Sequence, residues 1–241
     1  DKKGSFTGWM LLSYKKPVKT SSVKEEYGAD HLVDENVKTF WLAEKNNESQ
    51  WIEIDLMKPS EIRAFQINYN DYKSDMYGKI PGLYHQYVIE ASIDGENWNT
   101  IVDRSTNKRD VPNDYAVLNE PTKARYVRFK NIHVPTPYLS ISDLRIFGKG
   151  YGKEPKKVGK VTIERNDMRR GAIVKWNAVK EAQGYNVLWG IAPDKLYSSW
   201  LVYDTDSLEL KSLNTDQAYY FAVEAFNENG VGEKSKVQLV E

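Results

Sequence analysis

The chain contains no cysteine. That excludes disulfides, thiolate metal sites and a cysteine nucleophile. It leaves secretion open, because a chain of 241 residues can bury adequate cores without covalent staples. Net charge is absent too: 34 Lys+Arg stand against 34 Asp+Glu. No global field draws the protein to nucleic acid or to an anionic membrane. No apolar run reaches the ~18 residues of a membrane-spanning helix. Histidine is scarce. His31, His85 and His133 lie on separate segments without metal-ligand spacing. There is no G-x-S-x-G, no H-E-x-x-H and no Gly-rich phosphate loop. Carboxylates are plentiful, but a glycosidase pair needs two acids ~5–9.5 Å apart in a cleft. Most acids here fall on the polar faces of alternating segments or in one loop, so the chain reads as non-catalytic. The opening residues Asp1-Lys2-Lys3-Gly4-Ser5 are not followed by the apolar stretch of a signal peptide. The expectation is a region of a longer protein, beginning after another domain.

Helical periodicity is nearly absent, and two-residue alternation takes its place. Trp51–Leu56 sets Ile52, Ile54 and Leu56 against Trp51, Glu53 and Asp55. Residues 62–69 and 87–93 alternate likewise, and Val127 and Phe129 oppose Tyr126, Arg128 and Lys130. Asp94-Gly95 predicts a type I′ hairpin turn. Leu144–Phe147 closes the set at Gly148. From Lys149 to Lys157, glycine, proline and lysine dominate and predict a linker. A second all-β pattern follows: Ala172–Trp176, Gly184–Trp189, and a segment placing Tyr219, Phe221, Val223 and Ala225 on one face. Asn229-Gly230 predicts its final hairpin turn.

The most informative stretch is His31-Leu32-Val33-Asp34-Glu35-Asn36-Val37-Lys38-Thr39-Phe40-Trp41, leading into Trp51–Leu56. Asp34, Asn36 and Thr39 crowd oxygen-bearing side chains together, as a hard cation such as calcium requires. Lys38 and the missing glycine and distal glutamate exclude an EF-hand. A plain Asx turn, with Asp34 capping backbone amides, accounts for the same residues. The stretch resembles the opening of discoidin-like domains, also called coagulation factor 5/8 type C or carbohydrate-binding module family 32. The resemblance implies a structural Ca2+ held by the carbonyl of His31, the carboxylate of Asp34, the carbonyl of Asn36, Thr39, and the late pair Ser142 and Asp143. Glu35 departs from the usual glycine, and Asp143 from a longer glutamate. The resemblance also implies ligand-holding loops at the same end of the sandwich. Tyr27, Tyr72, Tyr77, Tyr84, Arg109 and Tyr138 are the candidates there. The tyrosines of residues 70–84 serve equally as a glycan platform, as a docking surface for a neighbouring domain, or as ordinary surface aromatics.

Residues 158–241 resemble a fibronectin type III domain through Trp176 and the L-x5-Y-x-F-x-V-x-A-x-N spacing from Leu213 to Asn227. Leu213 and Tyr219 form the expected tyrosine corner. Ser5–Tyr14 and Trp189–Tyr197 resemble the C-terminal region of Bacteroides-type glycoside hydrolase family 43 proteins. The expected architecture is therefore all-β: a lead-in over 1–9, a discoidin-like jelly-roll β-sandwich over 10–148, a linker over 149–157, and a fibronectin type III (Ig-like) β-sandwich over 158–241. The expected function is non-catalytic carbohydrate binding in a secreted, periplasmic or outer-surface bacterial glycosidase. The expected partners are a plant-type polysaccharide or other glycan and a missing N-terminal catalytic domain, with no nucleic acid and no membrane span. The alternatives are a structural tail that packs on the catalytic domain, and a protein-interaction module.

Overall fold

A computed structural model describes residues 8–74 and 82–241. These residues are built from antiparallel strands with one short 3₁₀ helix. They form two compact units, Trp9–Tyr151 and Gly152–Glu241.

The first unit runs β1 (Met10–Leu11), β2 (Val18–Thr20), the 3₁₀ helix Ala29–Val33, β3 (Trp41–Leu42), β4 (Trp51–Tyr69), β5 (Gln86–Ser92), β6 (Asn99–Asp103), β7 (Asn113–His133) and β8 (Ser140–Gly150). The strands hydrogen-bond in the order β1-β8-β4-β7-β5-β6, with β2 on β4 and β3 on β8. The alternation is realised: Ile52 and Ile54 are fully buried, as are Tyr87, Ile89, Val127 and Phe129. β4 and β7 are far longer than one sheet face needs. Their pairing breaks between Asp55 and Ser60 and slips again between Ile62 and Ala64. At the first break Met57 takes a left-handed φ of 67°, its amide bound to Asp55 Oδ1 at 2.7 Å, and Pro59 sits outside the ladder. Such bulges bend a strand around its core, so β4 and β7 serve both layers of a sandwich. The core holds Trp41, Phe65, Tyr87 and Phe129.

The Asp94-Gly95 turn differs from the expectation. β5 ends at Ser92 and β6 begins at Asn99, so the connection spans six residues. Only Gly95 takes a left-handed φ, 81°. Asp94 instead accepts bonds from the amides of Glu96 and Asn97, the Asn97 side chain and Ser92 Oγ. The Asn97 bonds, with the remaining donors, hold its carboxyl well below the usual carboxylate range. Its side chain thus organises a longer loop, where a type I′ turn would need positive φ at both central residues.

The second unit comprises β9 (Val161–Arg165), β10 (Ala172–Trp176), β11 (Gly184–Gly190), β12 (Ser198–Tyr203), β13 (Ser207–Leu210), β14 (Tyr219–Asn227), β15 (Gly230–Val231) and β16 (Gln238–Val240). One sheet is ordered β13-β10-β9 and the other β12-β11-β14-β15, with β16 also on β14. Trp176, Tyr185, Val187, Phe221 and Val223 form its core. Tyr219 is buried and its hydroxyl accepts the Asn214 amide at 3.1 Å. The last hairpin turns through Glu228-Asn229, since Asn227 pairs with Gly230. The expected linker is also largely taken into structure. Lys149 and Gly150 extend β8, while the Gly152 amide and the Lys153 carbonyl bond to Asn229 within the second unit.

Candidate functional site

The loop after the 3₁₀ helix is closed by its own side chains. Asp34 Oδ1 accepts the Asn36 amide at 2.9 Å, and Oδ2 lies 2.7 Å from the Thr39 hydroxyl. Asn36 Oδ1 accepts the Lys38 amide, and the Asn36 carbonyl accepts the Thr39 amide. His31 Nδ1 donates to the Phe40 carbonyl at 2.9 Å and braces the far side of the loop. Glu35, at the position of the family's glycine, adopts φ 58°. Its carboxylate is held by Arg145 of β8, with Nε to Oε1 at 2.7 Å and a second bond from Nη2 to Oε2. Ser142 and Asp143 are buried on the same strand. Asn68 donates to Asp143 Oδ2 at 3.0 Å. Burial pushes the Asp143 carboxyl up, and the fields of Glu35 and Asp34 push it further. The loop and β8 therefore bring the carboxylates of Asp34 and Glu35 close enough to act on Asp143. Among the described residues no three His, Asp or Glu side chains are placed as a metal cluster. A cation here would draw on carbonyl and hydroxyl oxygens as well as carboxylates.

An aromatic cluster is assembled from four separate loops. Tyr27 stacks on Phe40 with centroids 4.6 Å apart and planes at 18°. Tyr72 meets both, at 5.3 and 5.5 Å, and Tyr138 meets Tyr72 edge-on at 5.5 Å. Backbone and side-chain hydrogen bonds fasten the loops that carry these rings. The Lys24 amide bonds to the Leu42 carbonyl and the Leu42 amide to the Tyr27 carbonyl, fastening residues 24–27 to β3. Buried Trp41 anchors the same segment through its indole N–H, 2.9 Å from the Ser22 carbonyl. The Asn70 amide bonds to the Ser140 carbonyl just before Tyr72, and Asn46 Nδ2 reaches the Thr136 carbonyl just before Tyr138. Lys24 Nζ lies 4.7 Å from the Tyr138 ring centroid and Lys73 Nζ 5.1 Å from that of Tyr72. The Tyr72 hydroxyl raises the phenol of Tyr27 and the ammonium of Lys73 by hydrogen bonding. Glu25 and Lys73 both hold left-handed φ, 58° and 48°. Strained backbone of this kind persists where surrounding contacts enforce it, and it concentrates at binding loops.

The structure thus unites three of the expected ligand residues, Tyr27, Tyr72 and Tyr138. Tyr84 belongs to a different stack, on His133 at 4.1 Å and 28°. Arg109 is exposed, and its carbonyl receives the Asn107 side chain at 2.8 Å and the His85 amide. Tyr77 lies outside the described residues. Phe40, Lys24 and Lys73 were not expected at the site. Phe40 follows the 31–39 loop directly. His85 and Trp41 are buried.

The F5/8 type C domain profile matches residues 17–144, just over half of the chain. This protein belongs to the F5/8 type C domain family. The match bears out the family expected from the 31–41 and 51–56 stretches. Among solved structures, the chain is similar to chitosan-binding module 2 of a chitosanase/glucanase from Paenibacillus sp. IK-5, in complex with chitotriose. That likeness has 25% identity and a TM-score of 0.48, covering 57% of this chain and 99% of that one. A family 32 carbohydrate-binding module from Clostridium perfringens NanJ, in complex with galactose, is 15% identical at a TM-score of 0.46, covering 58% of this chain and 98% of that one. No curated protein matches the chain. Among the described residues of the F5/8 type C chain, no helix is long and apolar enough to cross a membrane.

Proposed function

We propose that the F5/8 type C unit is a glycan-binding module acting through the Tyr27, Phe40, Tyr72 and Tyr138 end of the sandwich. The observation that carries this reading is the convergence of those four rings from four loops, rimmed by lysine and glutamate side chains. Flat aromatic faces suit the C–H faces of sugars, and a few fixed polar groups suit their hydroxyls. The patch is small and open, so the expected single-site Kd is about 0.1–1 mM.

Calcium belongs to the same proposal. Asp34, Thr39 and Asp143, with the carbonyls of His31 and Asn36 and the neighbouring Ser142, would hold it. The donor set is all oxygen. A buried carboxylate with one amide donor, lying in the field of two further acids, suits a hard cation. Bound there, the ion would tie the 31–39 loop to β8 and would have no catalytic part. The second unit we read as a fibronectin type III domain, supported by its two-sheet topology and the Tyr219 hydroxyl tie. The parent protein we read as a secreted bacterial glycosidase resembling glycoside hydrolase family 43.

A structural-tail reading draws on the same cluster, because Tyr27 and Phe40 cover one face of each other and Lys24 lies over Tyr138. Retention on insoluble polysaccharide separates the two. Under the glycan-binding reading, Tyr72→Ala and Tyr138→Ala abolish retention with little change in Tm. Under the tail reading the intact chain shows no retention to lose, and the same changes destabilise the protein carrying its catalytic domain.

A further inference from the structure

We propose that the second unit carries its own binding cleft for a neutral pyranose sugar, at the open seam between the edge strands β12 and β13. A cavity of about 310 Å³ lies there, lined by Trp189, Trp200, Glu209, Leu210, Lys211 and Ser212. Register shows why it exists. Val187 pairs with Trp200 and Trp189 with Ser198. Paired residues of antiparallel strands share a face, and alternate residues of one strand share it too. Val187 is fully buried, so Trp189 and Trp200 also project from the core side of their sheet. β12 is the edge of that sheet and β13 the edge of the opposite one. Trp189 is partly buried against the core, whereas Trp200 remains 56% exposed although it faces inward. The seam is thus left open by the chain itself, with both indoles and the core residue Leu210 in its lining.

The rim selects the class of occupant. Glu209 and Lys211 are largely exposed and lie 3.4 Å apart, so their charges cancel and neither an anion nor a cation is favoured. Together with Ser212 they supply an acceptor, a donor and a hydroxyl that does both. Indole faces with mixed hydrogen-bonding groups fit a ring that is apolar on its C–H face and hydroxylated at its edge. The volume lies at the lower end of the ~300–1,000 Å³ usual for small-molecule sites, which suits one or two sugar rings. The cleft is lined by residues of the second unit alone.

The test is an NMR titration of the full chain with four probes taken singly: the methyl β-glycosides of glucose, galactose, xylose and N-acetylglucosamine. The indole N–H signals of Trp189 and Trp200, assigned by Trp→Phe variants, report on the cleft. The expected result is that at least one probe shifts both signals. Trp200→Ala weakens that binding by at least about tenfold at unchanged Tm, and Tyr138→Ala in the other unit leaves it intact. Glu209→Gln with Lys211→Met, both at exposed positions, provides a second variant set that should also weaken it. No shift of either indole with any probe overturns the proposal. So does binding that survives Trp200→Ala but is lost in Tyr138→Ala, a result that would place the only sugar site in the F5/8 type C unit.

Discussion

Glu35 occupies a left-handed position that the family fills with glycine, and it remains there because Arg145 grips its carboxylate. Two opposed effects meet in one side chain. A non-glycine residue at such φ costs about 1–2 kcal/mol, while the half-buried ion pair recovers part of that. Glu35→Ala keeps the strain and loses the pair, whereas Glu35→Gly loses both. Glu35→Gly should therefore unfold at a higher denaturant midpoint than Glu35→Ala, corresponding to about 1–2 kcal/mol of unfolding free energy; equal midpoints would show that the position carries no strain. The unusual residue was legible in the sequence. Its partner was not, because Arg145 is 110 positions away and appears only as one polar residue of an alternating strand.

Asp143 gives the sharper residue-scale test. Burial raises its carboxyl in the folded state above the unfolded value of 3.8. The folded chain then holds a proton that the unfolded chain releases, so stability falls as pH rises from near 3.8 through the raised folded value. At neutral pH, with chelator present, Asp143→Asn should raise Tm. With calcium present the order should reverse, because the ion needs the charge that the apo fold disfavours. Scanning fluorimetry of both proteins with EDTA and with CaCl2 checks this, and the same order in both buffers would remove Asp143 from the cation site.

At the scale of elements, two-residue alternation located the strands well, from Ile52 and Ile54 to Val127 and Phe129. It could not locate the bulges. A one-residue slip, as between Ile62 and Ala64, changes the phase of the pattern without changing its composition. The Asp94 loop was misjudged because a side chain that accepts several local bonds overrides the dipeptide rule. Gly148 shows how tightly the sheet is built where β8 runs between β1 and β4. It pairs with Met10 on one side and Ile62 on the other. A Cβ added there would lie 1.9 Å from the Glu61 carbonyl oxygen. Only a backbone shift could relieve such a contact. Gly148→Ala should cost about 3 kcal/mol or more, lowering Tm by roughly 10 °C. A change of a degree or less would mean that β8 and β4 are not so closely apposed.

For the whole molecule, the all-β class and the two-part organisation were legible from alternation and from the change in composition after Gly148. The convergence of the ligand loops was only partly so. Aromatic residues mark strands and binding surfaces alike, so nothing local distinguished Tyr72, which joins the cluster, from Tyr84, which stacks elsewhere on His133. Phe40 was hidden for the same reason, one position from the core residue Trp41. The central claim is that the assembled end of the F5/8 type C unit binds glycan. Its most direct test is a glycan array probed with the full chain and with Tyr72→Ala, each with and without EDTA. The account predicts that the chain binds one sugar class reproducibly, that chelation weakens the signal, and that Tyr72→Ala removes it. An array silent for the full chain, or binding untouched by Tyr72→Ala, would contradict it.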